Sequence, residues 1–329
     1  YDEDQNRLAE VMFGELAQAG NPQRYVIQGL SGLAWLDWTR QGAKPRSSKP
    51  RSARRFEQLL TRFPNSALAP EAAMMRGQAL EESNKPEGAL AMYRLVRRRY
   101  ADSPHVSSAT LSAARIHDEL ERDREAEELL RGWLRQYPSS EQRPGALYRL
   151  AWVLVDLKRD EEADHVFQQI HQHCRSSRYW SDATYRLAER AARQEDYEAA
   201  DALAGEIIGV AEDSKMVAFA LYLRGQLAAA TEQWKEAVAP LRQLVNQHPD
   251  SPQRLAAEYW LAEAYYRQRE YEKAARLFGK LYRETLERDE AWVAMIPLRH
   301  AQGLARQQRW NEAFEVASEI DARFPAFSQ

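Results

Sequence analysis

His171, His173 and Cys174 form the one cluster in this sequence whose side-chain types suit metal binding. On a helix, His171 and Cys174 share a face because they are three residues apart, whereas His173 points elsewhere. A tetrahedral zinc site takes four such ligands, and no fourth ligand lies at a spacing typical of zinc fingers. We therefore expect no bound metal and no cofactor.

Sequence motifs of catalysis are missing as well. There is no phosphate-cradling glycine loop, no Gly-x-Ser-x-Gly elbow and no His-Glu-x-x-His pair. Carboxylate pairs such as Glu81 and Glu82 are expected on solvated faces in a chain with 49 acidic residues. We expect a protein that is not an enzyme. The alternative is the helical holder region of a glycan-acting enzyme, which predicts two carboxylates facing each other across a cleft.

A basic run extends from Arg40 to Arg55 without an intervening acidic residue. Phosphate groups of nucleic acid or of anionic lipid would be attracted to it, but such a run is more often a solvated insertion. The net charge of -3 provides no field for attracting nucleic acid. We expect no nucleic-acid partner, and a nucleic-acid-binding repeat protein remains an alternative.

The elements that carry these residues repeat along the chain. Alanine recurs at one point of a helix-breaker-helix pattern with steps of 37, 37, 36, 38, 37 and 39 residues. Serine recurs in phase with it in the connecting segments. A near-constant period of this length predicts a stack of identical supersecondary units. The two series are Ala89, Ala126, Ala163, Ala199, Ala237, Ala274 and Ala313, and Ser66, Ser103, Ser140, Ser176, Ser214 and Ser251.

Each unit is predicted to be a hairpin of two helices, here called helix A and helix B. A glycine or alanine in helix A precedes the helix B alanine by 12 residues, as in Gly225 and Ala237. Small side chains allow two antiparallel helices to approach closely, and bulky residues four positions after the helix B alanine fill the space beyond. The unit after Ser176 is one residue short at its turn, so that either Leu187 or Ala188 could occupy its helix A point.

The first part of the chain is less regular. We predict helices over residues 5–19 and 23–40, followed by a loop over residues 42–52 that is rich in serine, proline and basic residues. This gives an N-terminal region, residues 1–52, that is an incomplete repeat, and a continuous array of about seven repeats over residues 53–329. The sequence opens with Tyr1, so we expect a processed or excised form whose membrane anchor, if it has one, lies upstream.

Ala262, Tyr265, Ala274, Phe278 and the prolines Pro138, Pro249 and Pro325 resemble the pattern of the tetratricopeptide repeat. The period of about 37 residues and the aromatic-Pro-x-Ser segments, such as Phe63 to Ser66, are similar to the longer repeats of bacterial envelope proteins. These are the outer-membrane assembly lipoprotein family and the periplasmic Tol-Pal accessory family. The resemblance covers roughly residues 53–325 and implies an all-α fold, a right-handed superhelical solenoid of helical hairpins.

The resemblance also implies where a partner binds, because the concave groove of this family is lined by helix A. Aromatic side chains beside charges suit peptide recognition. Transferred position by position, the groove residues are Glu71, Met74, Gln78, Arg115, Asp118, Tyr148, Trp152, Tyr185, Glu189, Tyr222, Gln226, Tyr259, Glu263 and Tyr266.

From this we expect an interaction scaffold that binds a protein or peptide partner in a bacterial cell-envelope assembly. The expected location is the periplasm or the envelope, with the cytoplasm as the alternative. The single cysteine fits either compartment. An array that begins within a repeat exposes an unpaired apolar face, and a homodimer is therefore possible.

Overall fold

The structure is a computed structural model that describes residues 3–39, 49–210, 213–287 and 291–324. Within these ranges the regular elements are seventeen α-helices and one 3-10 turn, Ala291–Ala294, with no strand. Within each of the two units described below, consecutive helices pack against each other as hairpins. The predicted all-α solenoid of helical hairpins is confirmed.

The chain divides into two compact units, residues 1–166 and 167–329. The division falls within α9, Asp160–His173. The first unit contains α1 Glu3–Leu16, α2 Gln23–Thr39, α3 Lys49–Arg62, α4 Ala69–Glu82, α5 Pro86–Arg99, α6 Val106–Glu119, α7 Asp123–Gln136 and α8 Arg143–Asp156. The second contains α10 Trp180–Arg193, α11 Tyr197–Val210, α12 Ser214–Ala230, α13 Trp234–Gln247, α14 Arg254–Arg267, α15 Tyr271–Glu284, α16 Met295–Arg306 and α17 Trp310–Arg323.

The first helices differ from their predicted bounds. Helix α1 ends at Leu16 rather than at residue 19, and α3 begins at Lys49, within the predicted loop. The described helix takes in Ser52, whose side chain is buried. The remainder of the predicted basic loop, residues 40–48, lies outside the described residues. The predicted domain boundary at residue 52 thus falls inside a helix.

The hairpins from α4 onward turn in the same way. The second residue after helix A has a positive φ between 55° and 64°, and this residue recurs every 37 residues from Asn84 to Arg269. After α4, the amide of Lys85 donates to the carbonyl of Leu80 and the amide of Asn84 donates to that of Glu81. These two bonds define a Schellman motif, which caps the last carbonyls of the helix. The same turn therefore sets the geometry of each hairpin.

The observed ladder of buried alanines has a more regular period than the predicted one. Ala200 is fully buried, whereas Ala199 is only partly buried. With Ala200 in place of Ala199, all steps from Ala89 to Ala274 are 37 residues. The matching helix A residue is Ala188, which is also fully buried, and this decides between Leu187 and Ala188. The prediction of Ala199 was wrong by one residue.

The serine series carries the same correction. The hydroxyls of Ser103, Ser140 and Ser251 each accept a hydrogen bond from the amide two residues later. In the unit in question that bond is made by Ser177, which accepts from the amide of Tyr179, and not by Ser176. The unit therefore has the same length as the others. The one-residue offset from the predicted series is already present at the serine that precedes helix A.

Close packing at the small residues holds each hairpin together. A Cβ atom added to Gly77 would lie 2.6 Å from Cε1 of Tyr93, and one added to Gly225 would lie 2.4 Å from Cδ2 of Leu241. Tyr93 and Leu241 are themselves fully buried. In the unit of Ala188 the corresponding helix B residue is Ala204, which is buried, rather than the predicted Leu203.

Candidate functional site

The predicted site residues lie on the helices of type A, which are α4, α6 and α8 in the first unit and α10, α12, α14 and α16 in the second. We call their outward surface the A-helix face. In the second unit, successive A helices contact one another directly, and in the first unit α6 contacts α8. Side chains that are 37 residues apart can therefore form one continuous surface within a unit.

In the first unit, ion pairs connect successive A helices. The guanidinium of Arg115 on α6 contacts Glu81 on α4 and lies 2.7 Å from the carboxylate of Glu119. Asp118 on α6 pairs with Arg149 on α8. These pairs are partly exposed, where single ion pairs contribute little to the free energy of unfolding. Their effect is to fix the position of the charged groups across the face.

The other predicted residues of the first unit are separated from these pairs. Met74 is buried within the hydrophobic core of this unit. Glu71 lines a cavity of about 440 Å³ near the start of α4, together with Tyr100 and His105. Gln78 is partly buried. Met74 therefore supports packing, and Glu71 belongs to a different surface feature from the remaining site residues.

Tyr148 and Trp152 lie one turn apart on α8, with ring centroids 6.2 Å apart in an edge-to-face arrangement. Both side chains are partly buried. The amphipathic rings supply contact area with few rotatable bonds, and Arg149 stands on the same helix beside them. The structure thus places two of the predicted aromatics together on the A-helix face of the first unit.

Carboxylates also gather in the first unit. Oxygens of Asp118, Asp123 and Asp156 lie within 4.8 Å of one another, and this is the group in the described ranges whose spacing could hold a metal ion. Burial raises the pKa of Asp123, and the charges of Asp156 and Asp118 raise it further. Asp118 is already paired with Arg149. The sequence analysis did not select Asp123 or Asp156 as site residues.

In the second unit, aromatic side chains extend over three A helices. The ring of Tyr185 on α10 lies 5.6 Å from that of Phe219 on α12. Tyr222 on α12 forms a hydrogen bond with Trp260 on α14. Burial raises the pKa of Tyr222, and this hydrogen bond has a smaller effect in the opposite direction. On α14 the ring centroids of Tyr259 and Trp260 are 5.8 Å apart. A ring contact thus connects α10 with α12, and a hydrogen bond connects α12 with α14.

Tyr185 and Tyr259 of this surface stay protonated at neutral pH. Burial raises the pKa of Tyr185, and the nearby carboxylate of Glu189 raises it further. Burial also raises the pKa of Tyr259, with a second contribution from the charge of Glu263. A protonated phenol can both donate and accept a hydrogen bond. The surface therefore offers apolar rings with neutral polar ends.

At the far end of this surface a carboxylate lies between two arginines. Glu263 is 2 % exposed, and its oxygens lie 2.7 Å from Nε of Arg267 and 2.9 Å from Nε of Arg299. The guanidinium of Arg299 also lies 5.6 Å from the ring centroid of Tyr266, a distance typical of a cation–π contact. Glu263 thus positions the arginines, and its buried carboxylate is not exposed for a partner.

The last predicted residues are on the surface of α10 and α12. Gln226 is exposed. Glu189 accepts a hydrogen bond of 2.9 Å from Arg186. Arg306 on α16 forms a hydrogen bond with Tyr266, which raises the pKa of the Arg306 guanidinium. The predicted residues of the second unit thus lie on α10, α12 and α14, and Tyr266 connects α14 with α16.

Several residues of this face were missed from the sequence. Arg149, Arg186, Trp260 and Arg299 each stand two positions before the small residue of their A helix. Several of the predicted site residues stand one position after the small residue, as Trp152 does. Arg149 and Trp152 are therefore three residues apart and lie on the same side of the helix. The signal was present in the repeat, at a position that the sequence analysis did not select.

The histidine and cysteine cluster has structural partners. Nδ1 of His171 lies 3.0 Å from the hydroxyl of Thr184, and its ring stacks on that of Trp180 with centroids 5.9 Å apart. The thiol of Cys174 is buried. These contacts give His171 a role in packing α9 against α10.

Comparison with known proteins adds the family. Two family models described as tetratricopeptide repeat match the chain, one over residues 46–104 and 74–141 and the other over 145–177. Together with the hairpins described above, this decides the repeat type. The chain contains tetratricopeptide repeats. These repeats bind protein or peptide partners in other proteins, so the chain has the architecture of a protein interaction scaffold.

A family model of a different description matches a later part of the chain. A family model described as outer membrane lipoprotein matches residues 214–327, which include α12 to α17. A search of curated protein sequences gave no match. In the described ranges, no helix is both long enough and apolar enough to span a membrane.

Solved structures of tetratricopeptide proteins share the fold. The C-terminal part of a TPR repeat-containing protein from Cytophaga hutchinsonii is 12% identical with a TM-score of 0.60, covering 78% of this chain and 95% of its own. The apo form of RapI is also 12% identical, with a TM-score of 0.59, and covers 98% of this chain and 95% of its own. At this identity the similarity concerns the fold alone.

Proposed function

We propose that this chain is a non-enzymatic scaffold that binds a segment of a partner protein on the A-helix face of its second unit. The tetratricopeptide architecture supports a protein partner in general. The observation that carries the choice of surface is the series of tyrosines Tyr185, Tyr222 and Tyr259, each of which contacts a residue of the next A helix. The ring of Tyr185 contacts that of Phe219, and Tyr222 forms a hydrogen bond with Trp260. Tyr259 forms a hydrogen bond with Arg299.

The chemistry of this surface suits an extended segment with apolar and acidic side chains. Partly buried tyrosines offer a large contact area at a small entropic cost. Arg267, Arg299 and Arg306 stand at one end of it. Glu263 pairs with the first two of these arginines, and the charge of Glu232 also acts on Arg267. Apolar side chains of the partner would lie on the rings, and a carboxylate would lie beside the guanidinium groups.

We further propose that the scaffold works in a bacterial cell-envelope assembly. The support is the match of residues 214–327 to the outer membrane lipoprotein family, and these residues include α12, α14 and α16 of the proposed surface. On this proposal the protein lies in the periplasm or at the envelope, and any attachment to a membrane is made outside the described helices.

Photocrosslinking tests the proposed surface. A benzophenone amino acid placed at Gln226, which is exposed on α12, should crosslink a partner protein. The matched control is Lys235, which is exposed on the following helix α13 and lies away from the A-helix face. Crosslinking from Gln226, and not from Lys235, should recover the partner protein. Replacement of Tyr222 by alanine should reduce the yield of the Gln226 crosslink. Equal crosslinking from both positions would contradict the proposal.

A further inference from the structure

A second surface of the second unit lies between two B helices, α11 and α13. It is a cavity of about 560 Å³ whose floor is formed by α12. Leu221, Leu227 and Ile208 provide an apolar base. Carboxylates stand at its edges and are supplied by Glu198, Asp201 and Glu236.

The repeat shows what fills the corresponding place elsewhere. In the first unit, α7 and the beginning of α9 are bridged by two arginines and two glutamates. Arg131 lies 2.7 Å from Glu127 and 2.8 Å from Glu162. Arg159 lies 2.7 Å from Glu127 and 2.6 Å from Glu162. Two guanidinium groups thus occupy the space between these B helices.

Two repeats later the acids remain and the arginines are missing. Seventy-four residues after Glu127 and Glu162 stand Asp201 and Glu236. At the positions of Arg131 and Arg159 stand Gly205 and Gln233, which carry no charge. Gln233 lines the cavity, and no heavy atom lies within 4 Å of a Cβ added to Gly205. Both positions thus leave open space where the first unit has arginine side chains.

One arginine from the floor partly compensates for this loss. Arg224 on α12 donates two hydrogen bonds to the carboxylate of Asp201, of 2.6 and 2.9 Å. With Glu198 and Glu236 included, three carboxylates and one guanidinium line the cavity. The local charge is therefore negative, and it surrounds an apolar base.

We propose that this cavity binds an arginine side chain from an apolar segment of a partner protein. The guanidinium would take the place beside Glu236 that Arg131 takes beside Glu162 in the first unit, and its methylene stem would cover the leucines of the floor. Arginine fits better than lysine because its planar fork can pair with two carboxylates. This site is separate from the A-helix face and does not depend on the function proposed for that face.

The experiment uses a fluorescein-labelled peptide of alternating leucine and arginine residues. The matched peptide carries citrulline in place of each arginine, which keeps the shape and removes the charge. Fluorescence anisotropy should give an affinity for the arginine peptide about tenfold or more above that for the citrulline peptide. High salt should reduce the difference.

A variant of the chain can supply a competing arginine side chain. Gly205→Arg restores the arginine of the first unit, and an added Cβ at Gly205 has no heavy atom within 4 Å, so the fold should tolerate it. This variant should lose about tenfold in affinity for the arginine peptide. Gly132→Arg is the matched control, because its Cβ is equally unobstructed and its change in net charge is the same; it should bind as the unchanged protein does.

Circular dichroism and thermal denaturation would show that both variants are folded, and Gln233→Arg provides a second blocking variant at an exposed position. The proposal is overturned by equal affinity for the two peptides, by the absence of saturable binding, or by a Gly205→Arg variant that binds as Gly132→Arg does. Loss of crosslinking at Gln226 would affect only the function proposed for the A-helix face.

Discussion

Replacement of Gly225 by alanine tests the packing of the small residues most sharply. The new Cβ would lie 2.4 Å from Cδ2 and 2.5 Å from Cγ of Leu241. Leu241 is fully buried, so it has little room to move. In an unobstructed helix the same change would stabilise the protein, since alanine is favoured over glycine by about 1 kcal/mol.

The two effects have opposite signs. Overpacking of a core costs about 1–3 kcal/mol, so after the gain in helix propensity Gly225→Ala should lower the free energy of unfolding by about 0–2 kcal/mol. Leu241→Ala alone should cost about 2–5 kcal/mol. In the Leu241→Ala background the clash is gone, and Gly225→Ala should then stabilise by about 1 kcal/mol.

Urea denaturation of the four proteins, followed by circular dichroism, gives this cycle. The predicted coupling between the two positions is about 1–3 kcal/mol. Gly205→Ala serves as the control, because no heavy atom lies within 4 Å of its added Cβ, and it should stabilise by about 0.5–1 kcal/mol. The reasoning is refuted if Gly225→Ala stabilises the unchanged protein as much as Gly205→Ala does.

Two further predictions concern pH and assembly. Burial lowers the pKa of His300 from its ordinary value of 6.5, and the charges of Arg283 and Arg309 lower it further. Below that pH the imidazole binds a proton in the unfolded chain but not in the folded chain. The free energy of unfolding therefore falls as the pH falls. His300→Gln should flatten this loss in urea denaturation between about pH 7 and pH 5, and an unchanged slope would contradict the assignment. Leu8, Val11 and Met12 are exposed on α1, and if they pair two copies, a Leu8→Glu and Met12→Glu variant should sediment as a monomer while the unchanged protein sediments as a dimer. A monomer in both cases would remove the predicted homodimer.

The fold was predictable because the packing of a repeat array is local. Each small residue has the same role in every unit, so its spacing is visible in the sequence as a period. The error at Ala199 arose because alanine is abundant in α11, where Ala199, Ala200, Ala202 and Ala204 all occur. Composition alone could not show which of these alanines is buried.

The site was only partly predictable, for a different reason. The transferred positions placed Tyr185, Tyr222 and Tyr259 on one face, but exposure depends on which side chains of the next unit cover them. Met74 and Glu263 are buried. We relate the open cavity beside Glu236 to arginines that are missing from the repeat. The sequence analysis looked for residues whose side chains suit binding or catalysis, and it therefore did not detect this absence.

The position of every site residue depends on the register of the repeat, in which one buried alanine of helix B recurs at 37 residues. Ala200→Phe and Ala199→Phe test this most directly, because the two residues are adjacent and only Ala200 is fully buried. Urea denaturation should show a loss of about 1–3 kcal/mol for Ala200→Phe and a change within about 0.5 kcal/mol for Ala199→Phe. An equal loss for both variants, or a larger loss at Ala199, would contradict this register and the faces assigned from it.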